Sequence, residues 1–318
     1  MSSSVPQRPA ETLAPGSTAA ATVGPPRIGG AVWAALGIVY VVWGSTYLAI
    51  RVVVETMPPL LSASARFSAA APLLALLLVW RQGVGALRVT RRQLGSAVLV
   101  GLLLLVGGNG LVVLAERSVP SGMAALLVAS VPLWVVVLNL AGGRRPAVAT
   151  LAGVLLGLAG LVVLTSPGLS GQVRLGGLLS VVLGALIWAF GSFLAGRLEM
   201  PANAMAASVY EMAAAGLGAG LLAVVRHEPQ YFDPAAVSGR SWAALAYLVV
   251  FGSLIAFTAY AWLLQRAPLS LVATYAYVNP VVAVLLGWLV LAEPLTWPVL
   301  LGGAIVVSGV FLVVRAER

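Results

Sequence analysis

The chain has no cysteine, and although it is 318 residues long it also has no lysine, so all eighteen of its basic residues are arginine. Without cysteine there can be no disulfide, thiolate metal site or cysteine nucleophile. Without lysine there can be no Walker A lysine, Schiff base or lysine general base, which excludes P-loop ATPases and pyridoxal enzymes. Histidine is nearly absent too, and the one present, His227, sits between Arg226 and Glu228 in a connection where a solvated role is expected. Charge of either sign is scarce: 8% of residues are charged against 61% apolar, and mean hydropathy is +1.03. A water-soluble domain of that composition would expose an aggregating surface. The chain is therefore expected to be an all-α polytopic membrane protein.

Charge-free apolar stretches run through residues 28–50, 94–115, 119–143, 147–172, 175–196, 241–264, 267–292 and 294–314, and two more, 60–80 and 203–225, carry one charge each. Each supplies the ~20 residues that cross a bilayer as a helix, so the expectation is ten transmembrane helices. A net charge of +9 would suit nucleic acid if it formed a patch, but the arginines are scattered through short connections. No nucleic-acid partner is expected; the partners are the lipid bilayer and a small-molecule substrate. With the N-terminus inside, twelve arginines fall on cytoplasmic segments and five on external ones, namely Arg51, Arg117, Arg174, Arg226 and Arg240. That excess predicts cytoplasmic N- and C-termini in a multi-pass protein of the cytoplasmic membrane.

Three prolines, Pro120, Pro132 and Pro146, recur 148 residues later as Pro268, Pro280 and Pro294. Ala125 and Ala273, Val136 and Val284, Leu138 and Leu286, and Leu164 and Leu312 agree at the same offset. The chain is thus a duplication, and five spans per copy force the second copy into the membrane upside down, a 5+5 inverted repeat. Residues 1–30, rich in Ser, Pro, Ala and Thr, read as a disordered cytoplasmic tail. The two repeats are expected over 33–166 and 175–315. Pro132 and Pro280 lie deep in the fourth and ninth spans, where each frees a backbone carbonyl and marks a candidate hinge. Matched breaks of this kind point to a substrate site near mid-membrane; packing kinks are the alternative.

Several motifs carry a family resemblance. Trp43-Gly44-Ser45-Thr46-Tyr47-Leu48-Ala49-Ile50-Arg51, Ala65-Arg66-Phe67 and Ala292-Glu293-Pro294-Leu295-Thr296 resemble the EamA-type transporters of the drug/metabolite transporter superfamily, and the stretch from Trp188 to Arg197 repeats the first motif in weaker form. The resemblance implies a ten-helix carrier with a central cavity lined mainly by helices other than the fifth and tenth. It implies export or import of small metabolites or drug-like solutes by alternating access; export is the expected direction, and no cofactor is expected. It leaves the solute itself open.

Two charges lie within the expected spans, Arg66 and Glu211, on helices that the repeat makes equivalent. An unshielded charge in hydrocarbon costs ~2.5–3.5 kcal/mol, so each should face protein or a wet cavity. At ~1.5 Å per residue they lie roughly 10 Å and 15 Å from the nearer helix end. Arg66 either binds an anionic substrate group or snorkels to the surface. Glu211 takes a substrate amine or a coupling proton, or else is a buried hydrogen-bonded carboxyl. Trp43, Asn109, Trp188, Tyr210 and Tyr277 complete the candidate substrate-binding set, Tyr277 because it lies beside the carbonyl that Pro280 frees. Glycines on one face of the fifth span, Gly153, Gly157 and Gly160, and on the seventh, Gly216 and Gly220, predict close helix approach, with a homodimer contact through the fifth span as the alternative to a monomer. No catalytic or metal-binding residues are expected. The rival function is an intramembrane enzyme acting on lipid or prenyl carriers, which would need clustered carboxylates, histidines or arginines near one face.

Overall fold

The computed structural model describes residues 29–119, 121–143, 145–165, 175–291 and 297–316. The N-terminal tail, Pro120 and the Ala292–Thr296 motif with its Pro294 lie outside the described residues. In chain order the helices are α1 (Gly30–Thr56), α2 (Pro59–Gln82), α3 (Arg91–Ala115), α4 in two segments (Ser121–Val128 and Val131–Ala141), and α5 (Val148–Thr165). They continue with α6 (Leu175–Ala195), α7 (Ala204–Val225), α8 (Gly239–Leu264), α9 in two segments (Leu269–Val272 and Tyr275–Leu291), and α10 (Trp297–Ala316). Eight of the ten are long and apolar enough to cross a membrane over their described residues, and α5 and α10 are shorter apolar helices. α1 is longer than hydropathy predicts. It continues past Ile50 to Thr56, so Arg51 and Glu55 lie on its last turns and not in a loop.

Helix ends follow local chemistry. Pro59 opens α2, where its missing N–H would have had no partner anyway, and Gly83 closes it with φ of 80°, a left-handed turn that a side chain would disfavour. Thr90 and Gln93 form a reciprocal capping box at the start of α3. Asn203 caps α7, accepting from the backbone of Met205 and Ala206, and its amide also donates to Gln82 at the end of α2. Ser238 caps α8. At the same end as that cap, Glu228 from the α7–α8 connection accepts from the backbone N–H of Leu61 at 2.9 Å and so closes the N-terminus of α2 with a carboxylate.

The packing pattern repeats when each helix is exchanged for its counterpart five places on. α1 packs on α8 and α9, and α6 packs on α3 and α4; α2 packs on α8, and α7 on α3. α2 and α7 pack on each other, as do α5 and α10, each pair being its own counterpart. This is the contact pattern of a 5+5 inverted repeat, and the two self-paired contacts lie on the pseudo-twofold axis. Both are built on small residues. A Cβ on Gly216 would fall 2.5 Å from Ser68 Oγ, and Ser64 Oγ donates to the Gly216 carbonyl at 2.8 Å. Gly153, Gly157 and Gly160 of α5 meet Gly309, Val306 and Val313 of α10 as well as the ring of Tyr277. The glycine face of α5 is therefore filled from within the chain.

Two further pairs of irregularities are symmetric. α3 and α8, counterparts, each contain a π-helical stretch, Leu102–Gly108 and Leu248–Phe257. α4 and α9, also counterparts, are each broken, at residues 129–130 and 273–274. The two breaks are not in register with the proline repeat. Pro132 lies in the first turn of the second segment of α4, whereas Pro280 lies inside the second segment of α9 with the break six residues before it. At each break one carbonyl accepts twice from the residue three places on: Leu127 O from the Ser130 backbone N–H at 3.0 Å and its hydroxyl at 2.7 Å, and Leu271 O from the Thr274 backbone N–H at 3.2 Å and its hydroxyl at 2.6 Å. Both carbonyls therefore stay satisfied, as an apolar surrounding demands.

Candidate functional site

A cavity of about 70 Å³ lies between the two halves, walled by α1, α2, α3, α4, α6, α8 and α9. α5 and α10 contribute nothing to its wall, as the resemblance implied, and neither does α7. At roughly 10–15 Å³ for an enclosed water, it has room for about half a dozen waters and is tight for a metabolite that carries a ring.

Both π-helical stretches face it. A π turn widens the helix by one residue and leaves carbonyls turned away from their ordinary partners. In α8 the Gly252 carbonyl accepts from the indole N–H of Trp43 at 3.2 Å, and the next residue, Ser253, accepts from Arg66 Nε at 2.8 Å. In α3 the corresponding stretch puts Leu105 and Gly108 in the wall, followed by Asn109. Gly252 and Gly108 leave the room for this: a Cβ on either would fall 2.9 Å from Arg66 or from the Trp188 ring, respectively.

Aromatic side chains make up the rest of the site. Trp43 and Trp188 meet edge to face, 5.4 Å between ring centroids, and Tyr275 stands edge-on to Trp43 at 5.0 Å. Tyr260 lies behind them, 5.0 Å from Trp43 and 5.5 Å from Trp188. Its hydroxyl accepts from Trp188 Nε1 at 3.0 Å and shares a hydrogen bond with Ser192. Tyr47 and Asn279 also line the cavity.

Of the residues singled out from sequence, Trp43, Arg66, Asn109 and Trp188 come together in this wall. Tyr277 does not. Tyr275 and Asn279 lie one turn apart on the cavity face of α9, and two residues' rotation turns Tyr277 the other way, where it packs on Gly157, Ala129, Leu161 and Val306. Tyr210 faces the α2–α3 connection and donates its hydroxyl to Leu87 O. Glu211 is buried where α7 crosses α3, its backbone against Gly101. Its Oε2 has no hydrogen-bond partner among the described residues, and it lies within electrostatic reach of Tyr260. Glu211 is thus not part of the cavity wall. Pro132 follows Val131, a wall residue, and Pro280 follows Asn279.

Hydropathy also missed a buried carboxyl. Glu116, one residue beyond α3, is fully buried, and neither carboxylate oxygen has a partner among the described residues. The Arg51 guanidinium donates instead to its backbone carbonyl. Burial holds the Glu116 carboxyl well above the usual carboxylate range, and the nearby Arg51 charge offsets part of that rise. Its place in a short connection hid it, because nothing in the local sequence shows that Arg51, on the extension of α1, reaches its backbone.

Among the described residues no group of three or more histidine or acidic side chains could hold a metal ion. One solved crystal structure superposes on the chain with a TM-score of 0.73 at 22% identity, covering 90% of this chain and 98% of that one. The inner membrane transporter YedA of Escherichia coli K12 is 42% identical over 255 residues, 80% of either chain. The transporter YoaV of Bacillus subtilis is 27% identical over 288 residues, 87% of this chain and 95% of its own. A chloroplastic WAT1-related protein of Arabidopsis thaliana is 24% identical over 291 residues, 88% of this chain and 69% of its own. The pattern of the EamA-like transporter family matches twice, over residues 29–166 and 175–315. With both halves matched and a relative at 42% identity, the chain belongs to the EamA-like transporter family and is a membrane transporter.

Proposed function

We propose that the chain is a secondary carrier, not an enzyme, that exports small organic solutes across the cytoplasmic membrane by alternating access about the central cavity. The observation that carries this reading is the placement of a tight cavity between two halves whose counterpart helices α4 and α9 are both broken beside it. A cavity of about 70 Å³ has to widen to take a metabolite. The breaks at residues 129–130 and 273–274 are where the chain bends with least loss of hydrogen bonds, since Leu127 O and Leu271 O each keep both a backbone and a hydroxyl donor there. Pro132 and Pro280 act as the adjoining stiff elements. Trp43, Arg66, Asn109 and Trp188 hold the solute; Tyr210, Glu211 and Tyr277 act from outside the wall.

Counterflow in proteoliposomes tests the reading. Purified carrier should exchange at least one member of a broad metabolite panel with saturation; verified folded protein that exchanges none would defeat it. Orientation follows from the arginine excess and has its own test, which the cysteine-free chain makes simple. A cysteine introduced at Gly83 should be shielded from an impermeant thiol reagent in intact cells, and one at exposed Tyr231 should react. The reverse pattern would invert the topology.

A further inference from the structure

Resting on the carrier reading, we infer that the solute is an organic monoanion, a carboxylate with a flat apolar body and no ammonium group. Arg66 is 6% exposed and lines the cavity, as well as a smaller one of about 10 Å³ beside it. Its Nε is bonded to the neutral Ser253 hydroxyl, its guanidinium stacks near Phe67 at 4.9 Å, and its terminal nitrogens have no partner among the described residues. No aspartate or glutamate lines either cavity. Neither Glu211 nor Glu116 belongs to either wall.

A buried guanidinium without a counter-ion is held at a high desolvation penalty, and an arriving anion relieves it. Because only Nε is engaged, the two terminal nitrogens remain as the fork that grips a carboxylate in two parallel hydrogen bonds. The same wall disfavours a free ammonium: a cation would meet Arg66 with no carboxylate to answer it. In the same wall, Trp43, Trp188, Tyr275 and Phe257 offer aromatic surface, which suits a planar apolar body. Asn109 Oδ1, buried without a partner among the described residues, accepts one further donor from the solute or from a retained water.

The test uses full-length protein purified in detergent, with benzoate, 3-phenylpropanoate and 2-naphthoate as probes, each beside its neutral amide, and phenylalanine as the zwitterion. The acids should raise the melting temperature with saturation, the amides and phenylalanine by far less. Arg66→Gln should abolish the difference between acid and amide. Arg66→Lys, which keeps the charge and loses the fork, should keep the preference with affinity weakened about tenfold. If acid and amide act alike on the wild type, or if all three acids are silent, the inference is overturned without recourse to any variant. Counterflow with the same probes separates the two readings. Binding of the acids without exchange overturns the carrier and leaves the anion site. Exchange of neutral or cationic solutes by a protein indifferent to the acids overturns the anion site and leaves the carrier.

Discussion

Trp43 of the first repeat and Trp188 of the second, the opening residues of the duplicated motif, meet edge to face at 5.4 Å in the middle of the protein. A residue and its symmetry counterpart can touch only at the pseudo-twofold axis, so this contact marks where the axis crosses the cavity. Edge-to-face geometry adds ~0.5–1.5 kcal/mol beyond the apolar area buried, and each indole N–H has an acceptor, Gly252 O for Trp43 and Tyr260 Oη for Trp188. The pair is both a wall of the cavity and a joint between the halves.

Trp43→Phe keeps a ring at this joint but leaves the Gly252 carbonyl without its donor. A lost partner for a buried polar group costs ~1–3 kcal/mol. The variant should melt several degrees lower in detergent, and its exchange rate in proteoliposomes should fall about tenfold or more. A variant with wild-type melting and wild-type exchange would remove Trp43 from both roles.

A coupling-proton role for Glu211, which lies outside the cavity wall, has a direct test. Glu211→Gln should abolish accumulation driven by a pH gradient while counterflow exchange continues. Tyr260→Phe, which removes the hydroxyl that bonds Ser192 and Trp188, should weaken gradient-driven accumulation more than exchange. Unchanged accumulation in Glu211→Gln takes this residue out of the mechanism.

Helix approach is tight where α3 crosses α7. A Cβ on Gly101 would lie 2.5 Å from the Cα and the carbonyl oxygen of Glu211, and backbone cannot move aside as a side-chain tip can. Gly101→Ala should therefore lower the melting temperature sharply and disturb Glu211. Gly37→Ala on α1, with nothing within 4 Å, should be neutral or slightly stabilising through helix propensity. Equal melting of the two variants would show that the crossing relaxes freely.

The duplication, the spans and the motif residues Trp43, Arg66 and Trp188 were legible because each leaves a mark in local sequence: a repeat offset, a run of apolar residues, a charge inside such a run. The two π-helical stretches left none. Leu102–Gly108 and Leu248–Phe257 read as ordinary apolar helix, and a π turn arises from the fit of neighbouring helices as much as from the residues within it. The face of α9 was hidden for a similar reason. In a helix apolar on all sides, periodicity does not say whether Tyr275 or Tyr277 looks inward, so the proline beside Tyr277 misdirected the choice. Glu211 and Arg66 stood out alike in sequence, yet only Arg66 reaches the cavity, because no residue of α7 enters its wall.

Glu116 gives the pH prediction. Its carboxyl is fully buried and unpartnered, with the Arg51 guanidinium and the Tyr47 hydroxyl of α1 as the titratable groups that act on it. Burial raises its folded-state pKa above the unfolded value, and Arg51 counters only part of the rise. The folded state therefore holds the proton to higher pH than the unfolded chain does. Stability is greatest where both states are protonated and falls as pH rises from the ordinary carboxylate range towards the raised folded value. Glu116→Gln, which keeps the shape and cannot ionise, should flatten that slope and melt higher than wild type near neutral pH. Thermal melting of the two proteins across acidic to neutral pH, in one detergent and at one ionic strength, reads this directly. Parallel curves would mean that Glu116 finds a counter-charge the folded chain does not provide, and that its burial contributes nothing to the pH dependence of stability.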